Sequence, residues 1–191
     1  IIVAGDDITF VCNAKLAIPA VRYFLENLGN EKDYSACGGI AFFNSHFPFS
    51  DAYQGAEACC DSAKKRAKNP ESRGADNAIG NFFDFQICTN VRAADLESYR
   101  EKHYVSGTDY FIARPYFVAP KTDRHELNAV NERYSVARLD EWSEQFGKTG
   151  MPRSKAKQLR NAIPVKNKRE EVVSFLASRG YPVFKERSEA Y

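Results

Sequence analysis

Hydrophobic and polar residues follow strand-like and helix-like patterns at the start of the chain. Residues 1–12 predict a β-hairpin, because two apolar runs flank Gly5-Asp6-Asp7 and these residue types tolerate the backbone angles of tight turns. The opening run, Ile1 to Ala4, is expected to be a buried strand. A helix is predicted from Leu16 to Leu28, where Gly29-Asn30 ends it.

The next segment predicts a strand, a helix and a second strand. The strand runs from about Tyr34 to Phe43, and Gly38-Gly39 within it indicates close backbone packing or a bulge. Pro48 is expected to begin the helix, with Ser50 or Asp51 as its cap. The apolar stripe of this helix has a 3.6-residue spacing and consists of Phe49, Ala52, Tyr53, Ala56, Cys60 and Ala63.

Alternating residues from Phe82 to Cys88 predict a strand with Phe83, Phe85 and Ile87 on one face. The first ninety residues therefore have the order β-β-α-β-α-β. A ferredoxin-like palm has the order β-α-β-β-α-β, so the pattern is that of a palm whose leading strand and helix are missing or lie upstream. We expect an α+β fold with a partial palm domain in residues 1–90.

The remainder of the chain is expected to be a connecting segment, 91–120, and a small α-helical region, 121–191. The connecting segment predicts a short helix over 93–102 and an extended run from Tyr110 to Val118. Apolar residues at helical spacing predict three further helices, over 123–146, 153–162 and 167–179.

Composition narrows the class of protein. The 191 residues are 43% hydrophobic and 13% aromatic, which excludes disorder over most of the length. No apolar run reaches the ~20 residues of a membrane-spanning helix, so we expect a soluble protein with no membrane partner. The five cysteines contain no Cys-x-x-Cys pair, which argues against structural zinc or a disulfide framework and favours a cytoplasmic setting. Because residue 1 is Ile and nothing near it is typical of a signal peptide, we expect a fragment.

The net charge of +2 argues against a dedicated polyanion-binding protein, although the charge is unevenly distributed. Eleven Lys and Arg residues stand against three Glu between Lys148 and Arg187. This run is either a solvated helical face or a surface that contacts phosphates. In the second case, neutralising Lys155, Lys157 and Arg160 is expected to weaken RNA binding.

The candidate chemistry lies at the hairpin. Adjacent carboxylates at Asp6 and Asp7 repel one another unless a cation lies between them, and Mg²⁺ takes one or two carboxylates together with substrate phosphates. An ordinary polar turn is the alternative. The second helix carries a positive cluster over 62–68, which is either a triphosphate contact or a solvated helix end.

These residues resemble a known family. Ala4-Gly5-Asp6-Asp7 is similar to the Gly-Gly-Asp-Asp signature of the palm-domain large subunit of type III CRISPR effector complexes. The segment Tyr34 to Ala41 is similar to its next palm strand, and His46 to Ser50, Ala56-Glu57 and Ser62 to Lys64 to the following turn and helix. Met151 to Lys155 resembles the start of its C-terminal helical segment. GGDEF diguanylate cyclases and class III nucleotide cyclases share the palm more distantly.

The resemblance implies a nucleotidyltransferase that joins ATP into cyclic oligoadenylates when an RNA-guided effector complex senses target RNA. Asp6 and Asp7 would bind the catalytic Mg²⁺ or Mn²⁺, Gly5 would admit a substrate phosphate to the hairpin backbone, and Lys64 would contact phosphates. The metal ions would lower the pKa of the attacking ribose hydroxyl.

Two features depart from the family pattern. Ala4 replaces the first signature glycine, and the further carboxylate that palm cyclases place on the leading strand is absent, so this stretch is expected to be inactive alone. No His-Asp dipeptide represents the family's nuclease. The alternatives are a catalytically degenerate palm that is a scaffold for RNA or a neighbouring subunit, and a stand-alone GGDEF-like cyclase.

Overall fold

The computed structural model describes residues 1–28, 34–74, 77–88, 95–120 and 125–181. Its helices are α1 (Ala14–Leu28), α2 (Phe49–Lys68), α3 (Leu96–Tyr104), α4 (His125–Asn131), α5 (Val136–Lys148), α6 (Arg153–Ala162) and α7 (Lys166–Ser178). Its strands are β1 (Ile2–Ala4), β2 (Asp7–Thr9), β3 (Cys37–Phe42), β4 (Asn81–Ile87), β5 (Val105–Ser106), β6 (Asp109–Tyr110) and β7 (Tyr116–Val118). The expected α+β class and the order β-β-α-β-α-β are confirmed.

The chain forms two compact units. The first contains residues 1–93 and 114–135, and the second contains residues 94–113 and 136–191. Residues 114–135 thus pack with the N-terminal part of the chain. The expected division into a palm domain, a connecting segment and a helical region, at about residues 90 and 120, stays a prediction. None of the helices in the described ranges is long and apolar enough to cross a membrane.

The first unit is built on a mixed sheet with the strand order β3-β4-β7. Strands β3 and β4 are parallel, with Cys37 opposite Phe82, and α2 is the crossover between them. Strand β7 is antiparallel to β4, with Phe117 opposite Phe82. The core on the α2 side of the sheet contains Ala63, Ala67, Phe82, Phe117 and Leu127.

Side chains alternate along β4 as predicted. The ring of Phe82 lies 5.5 Å from that of Phe117, while the ring of Phe83 lies 5.8 Å from that of Tyr116. Residues of odd and even number therefore face opposite sides of the sheet. Gln86 and Asp84 share the side of Phe82.

The glycine pair of β3 permits close packing on both faces of the strand. A β-carbon on Gly38 would lie 2.8 Å from Cγ1 of Val21 in α1, and one on Gly39 would lie 1.9 Å from the carbonyl oxygen of Ala56 in α2. Of the two interpretations of this pair, close packing is confirmed. Regular pairing with β4 continues through both residues.

Two expectations for the first unit are wrong. The opening strand is exposed rather than buried: Ile2 and Val3 retain 62% and 66% of their accessible surface, because β1 pairs only with β2 in the described part of the chain. Helix α2 begins at Phe49 with no side-chain hydrogen bond at its cap, so neither Ser50 nor Asp51 caps it.

The buried face of α2 agrees only in part with the predicted stripe. Ala52 and Ala63 are buried as predicted, whereas Phe49 and Tyr53 are exposed. The other buried residues are Gly55, Cys59 and Ala67. The face consists of small residues because β3 and β4 approach the helix closely, which leaves no space for aromatic rings between them.

The expected helix over 123–146 is divided. Residues 123–124 lie outside the described part of the chain, and the rest forms α4, a 3₁₀ turn (Glu132–Tyr134) and α5. Asn131 ends α4 with a fully buried side chain that donates hydrogen bonds to the carbonyl oxygens of Ser72, at 2.8 Å, and Leu127, at 3.0 Å. After the 3₁₀ turn, Ser135 forms a β-bridge with Phe117. These contacts lie where the helix is interrupted.

The second unit contains α3, the β5-β6 hairpin, α5, α6 and α7. Helices α6 and α7 pack through a core of Ala162, Val172 and Leu176, which Met151 and Leu159 extend. The predicted bounds of α6, residues 153–162, are confirmed. The helix is limited by proline on both sides, since Pro152 precedes it and Pro164 follows it.

Candidate functional site

The hairpin turn is shaped by Gly5. Ala4 pairs with Asp7, which leaves Gly5 and Asp6 as a two-residue loop. Gly5 has a φ of +66°, whereas Asp6 has no positive φ, and this combination is typical of a type II′ turn. No atom lies within 4 Å of a β-carbon placed on Gly5, so the backbone here borders open space. The predicted site residue Gly5 is therefore accessible to an approaching ligand.

Asp7 faces helix α2. Side chains two residues apart share one face of a strand, so Asp7 lies on the same side of β2 as Thr9. The Thr9 hydroxyl donates a hydrogen bond to the oxygen of Tyr53 in α2. Asp6 is in the turn itself, and both carboxylates are exposed.

Tyr53 forms hydrogen bonds with both the hairpin and the carboxylate of Glu57. The hydrogen bond that its hydroxyl donates to Glu57 is the largest cause of its raised pKa, and the negative charge of Asp7 adds to the shift. The hydrogen bond from Thr9 has the opposite effect. The carboxylates of Asp7 and Glu57 thus act on the same phenol.

Lys64 lies on the same face of α2. The residues Tyr53, Glu57, Cys60 and Lys64 follow one another at helical spacing, over about 16 Å of the axis. Burial is the largest cause of the raised pKa of Cys60, which the charge of Lys64 lowers and that of Asp7 raises. The positive charge of Lys64 and the negative charges of Asp61, Asp7 and Glu57 therefore all act on the Cys60 thiol.

The charges of Asp7 and Lys64 both act on Cys60, so the two residues lie in one region of the first unit, together with Glu57 and Tyr53. The sequence placed Tyr53 in the apolar stripe of the helix and Glu57 in a segment that resembles the family, but gave neither a functional role. Helical spacing was the signal in the sequence that these side chains share one face of the helix. Tyr53 and Glu57 are four residues apart, and Glu57 and Lys64 are seven residues apart. Whether Asp7 lies near this face depends on which side of β2 is turned towards α2. The alternation of residues along a strand does not determine that side.

The donor chemistry fits a hard divalent ion. Within the described ranges, no group of three or more His, Cys, Asp or Glu side chains is arranged to hold a metal ion. Mg²⁺ uses only one or two carboxylates when substrate phosphates supply further oxygens. Asp6 and Asp7 can provide this number.

A second polar cluster in the same unit is structural. The side chain of Asp84 is 0% exposed, its Oδ1 accepts a hydrogen bond from the Phe85 amide at 2.7 Å, and Nε of Arg114 lies 3.9 Å from that oxygen. Arg114 also donates to the carbonyl oxygen of Phe85 and lies 4.5 Å from the centre of its ring. Arg114 is consequently a packed residue and not a ligand-facing one.

In comparisons with known proteins, neither the family models nor the curated proteins match this chain.

Proposed function

We propose that the β1-β2 hairpin and α2 form the metal- and nucleotide-binding site of a nucleotidyltransferase that converts ATP into cyclic oligoadenylates. The observation that carries the proposal is the position of Asp7, which faces a helix whose same side bears Lys64. A carboxylate for a divalent ion and an ammonium group for phosphates are the two charges that binding a metal-chelated triphosphate requires.

Each residue has a definite part in this proposal. Asp6 and Asp7 would hold Mg²⁺ or Mn²⁺. Gly5 lets a phosphate approach the backbone of the turn, since nothing occupies the space beside it. Lys64 is exposed and attracts phosphate oxygens as a point charge. A bound divalent ion lowers the pKa of an attacking hydroxyl and offsets charge on the transferred phosphoryl group.

The finer fold proposal is a ferredoxin-like palm of the nucleotide cyclase type. The order β-β-α-β-α-β supports it. In the described part of the chain, β3 is an edge strand and the hairpin pairs only with itself, so both have backbone edges to which a leading strand could add. The corresponding partners are ATP, RNA and the subunits of an RNA-guided effector complex.

The test uses the complete effector protein with ATP, Mg²⁺ and target RNA, and oligoadenylates are measured by mass spectrometry. The double variant Asp6→Asn and Asp7→Asn is expected to abolish the product. A matched variant, Asp95→Asn and Asp140→Asn, removes the same charge from the second unit and should retain activity. Equal product from both variants would refute the proposal.

A second candidate is a catalytically degenerate palm that holds RNA or a neighbouring subunit. The observation that favours it is the distribution of charge: residues 153–169 contain seven Lys and Arg residues and no Asp or Glu. This candidate predicts that the protein binds RNA but binds no ATP in the presence of Mg²⁺.

A further inference from the structure

The exposed face of α6 carries a stripe of positive charge. Arg153, Lys157 and Arg160 are all exposed and have the spacing i, i+4, i+7, which places them on one side of the helix over about 10 Å. Lys155 is not part of this stripe. Its ammonium nitrogen lies 4.6 Å from the centre of the Phe175 ring, on the side that packs against α7.

Arg160 is in the last turn of α6, where a cation stabilises a helix, but the charge at the N-termini of α6 and α7 is not arranged for helix stability. The first turns of α6 and α7 contain no acidic residue, although a helix N-terminus favours negative side chains. Both helices instead begin with cations, including Arg153 in α6 and Lys166 and Lys168 in α7. A sequence that departs from local stability rules in two adjacent helices indicates a functional demand for positive charge.

Aromatic rings lie at the end of the stripe. Arg160 and Asn161 line a small cleft, of about 70 Å³, together with Tyr99, His103 and Tyr104. The rings of Tyr99 and His103 have centroids 4.3 Å apart. None of the described residues that line this cleft carries a carboxylate.

The acidic residues of α3 lie elsewhere. Glu97 and Glu101 are four residues apart and share one side of the helix. Tyr99 and His103 are also four residues apart, and their offset of two residues places them on the opposite side. The aromatic side of α3 therefore adjoins Arg160 with one acidic neighbour at the start of the helix, the exposed N-cap residue Asp95, four positions before Tyr99.

We infer that α3 and α6 form a binding site for single-stranded nucleic acid. A row of cations that follows the phosphates, together with aromatic rings on which bases stack, is how proteins bind single strands with little sequence preference. A duplex keeps its base faces stacked within the helix, so the cleft distinguishes a single strand from paired nucleic acid. The site lies wholly in the second unit, and it holds whether or not the hairpin performs the proposed chemistry.

The test measures fluorescence anisotropy of a labelled, unstructured RNA strand of about twelve nucleotides with the complete protein. We expect binding that weakens steeply between about 50 and 200 mM salt. The triple variant Arg153→Gln, Lys157→Gln, Arg160→Gln should lose affinity about tenfold or more and flatten the salt dependence. The matched variant Lys15→Gln, Arg138→Gln, Lys148→Gln removes the same net charge and should bind like the unsubstituted protein.

The aromatic contribution is tested separately. His103→Ala and Tyr99→Ala are expected to weaken single-strand binding about tenfold while leaving the salt dependence unchanged, and Tyr99→Phe should retain affinity. Circular dichroism checks that each variant is folded. If Tyr99→Ala does not fold, His103→Ala alone tests the aromatic contribution. The anisotropy measurement is repeated with a DNA strand of the same sequence to distinguish RNA from DNA as the ligand. Binding of either single strand fits the inference.

Four results would overturn the inference. The first is an absence of salt-dependent RNA binding by the unsubstituted protein. The second is equal loss of affinity in the two triple variants, which would indicate net charge alone. The third is binding of duplex RNA as tight as that of the single strand, and the fourth is unchanged affinity in His103→Ala, because either would remove the role of the aromatic cleft.

Discussion

Gly39 lies directly against the backbone of Ala56. A β-carbon on Gly39 would be 1.9 Å from the carbonyl oxygen of Ala56 and 2.5 Å from the amide nitrogen of Cys60. Both contacts are with the backbone of α2, which a side-chain rotation cannot relieve. The close approach of β3 and α2 therefore depends on the absence of a side chain at residue 39, and it sets the position of the helix that carries Lys64.

Gly39→Ala is predicted to destabilise the protein by more than about 2 kcal/mol, since the helix must move away from the strand. The measurement is the free energy of unfolding in urea. Gly147→Ala is the matched control: nothing lies within 4 Å of its β-carbon, and replacing a helical glycine stabilises by roughly 0.5–1 kcal/mol. A loss for Gly39→Ala no greater than about 0.5 kcal/mol would contradict the packing argument.

Arg114→Met is predicted to cost about 3–5 kcal/mol of unfolding free energy, because it removes the cation whose Nε lies 3.9 Å from the buried Asp84 carboxylate. Arg138→Met provides the comparison. Arg138 forms an ion pair with Glu141 at 2.8 Å, but the side chains are 42% and 46% exposed, so its loss should cost less than about 1 kcal/mol. Chemical denaturation of both variants gives the difference, and similar losses would show that Asp84 does not depend on Arg114.

The parts of the fold that could be predicted are those determined by neighbouring residues. Alternation along β4 identifies its two faces, and Pro152 and Pro164 define the ends of α6. The relation of Thr9 to Tyr53 could not be predicted, because it joins residues 44 positions apart that are brought together only by packing.

Burial of the hairpin failed as a prediction for a related reason. Apolar residues at Ile2 and Val3 indicate that a strand prefers a covered environment, but not which element covers it. The same limit applies to α2. Its periodicity predicts an apolar face, whereas the narrow approach of β3 selects a face of small residues around Cys59 and Ala63.

Cysteine reactivity should follow burial. Burial is the main cause that raises the pKa of Cys37 from 9.0 to about 11, so its reactive thiolate is scarce at mild pH. Cys12 is exposed and Cys59 fully buried. Brief treatment of the folded protein with iodoacetamide, followed by peptide mass spectrometry, is expected to label Cys12 first. Cys12→Ser should remove the fast phase, and rapid labelling of Cys37 would contradict the assigned burial.

The same shift predicts a pH dependence of stability. The neutral thiol of Cys37 is favoured in the folded state, so its contribution is complete below about pH 9 and is lost as the pH rises towards about 11. Cys37→Ala lacks this titration. The difference in unfolding free energy between the two proteins should therefore shrink across this window, and a difference that grows would show that the sign is wrong.

The two hairpin carboxylates are predicted to differ in importance. Asp7 faces α2, where Glu57 and Lys64 lie, whereas Asp6 is in the turn. On the proposed function, Asp7→Asn should weaken binding of Mn²⁺-ATP about tenfold or more. Tyr53→Phe should weaken it less, since it removes only the hydrogen bonds of the phenol, from Thr9 in β2 and to Glu57 in α2 itself. Isothermal titration calorimetry of the complete protein measures both.

Removal of the metal provides the decisive comparison. The charge of Lys64 attracts ATP with or without a divalent ion, but a carboxylate repels the triphosphate unless a cation lies between them. Chelation by EDTA should therefore abolish ATP binding by the unsubstituted protein and have a smaller effect on Asp7→Asn, which carries only one of the two repelling carboxylates. If EDTA reduces ATP affinity equally in both proteins, Asp7 does not hold the metal ion, and the role proposed for its carboxylate is wrong.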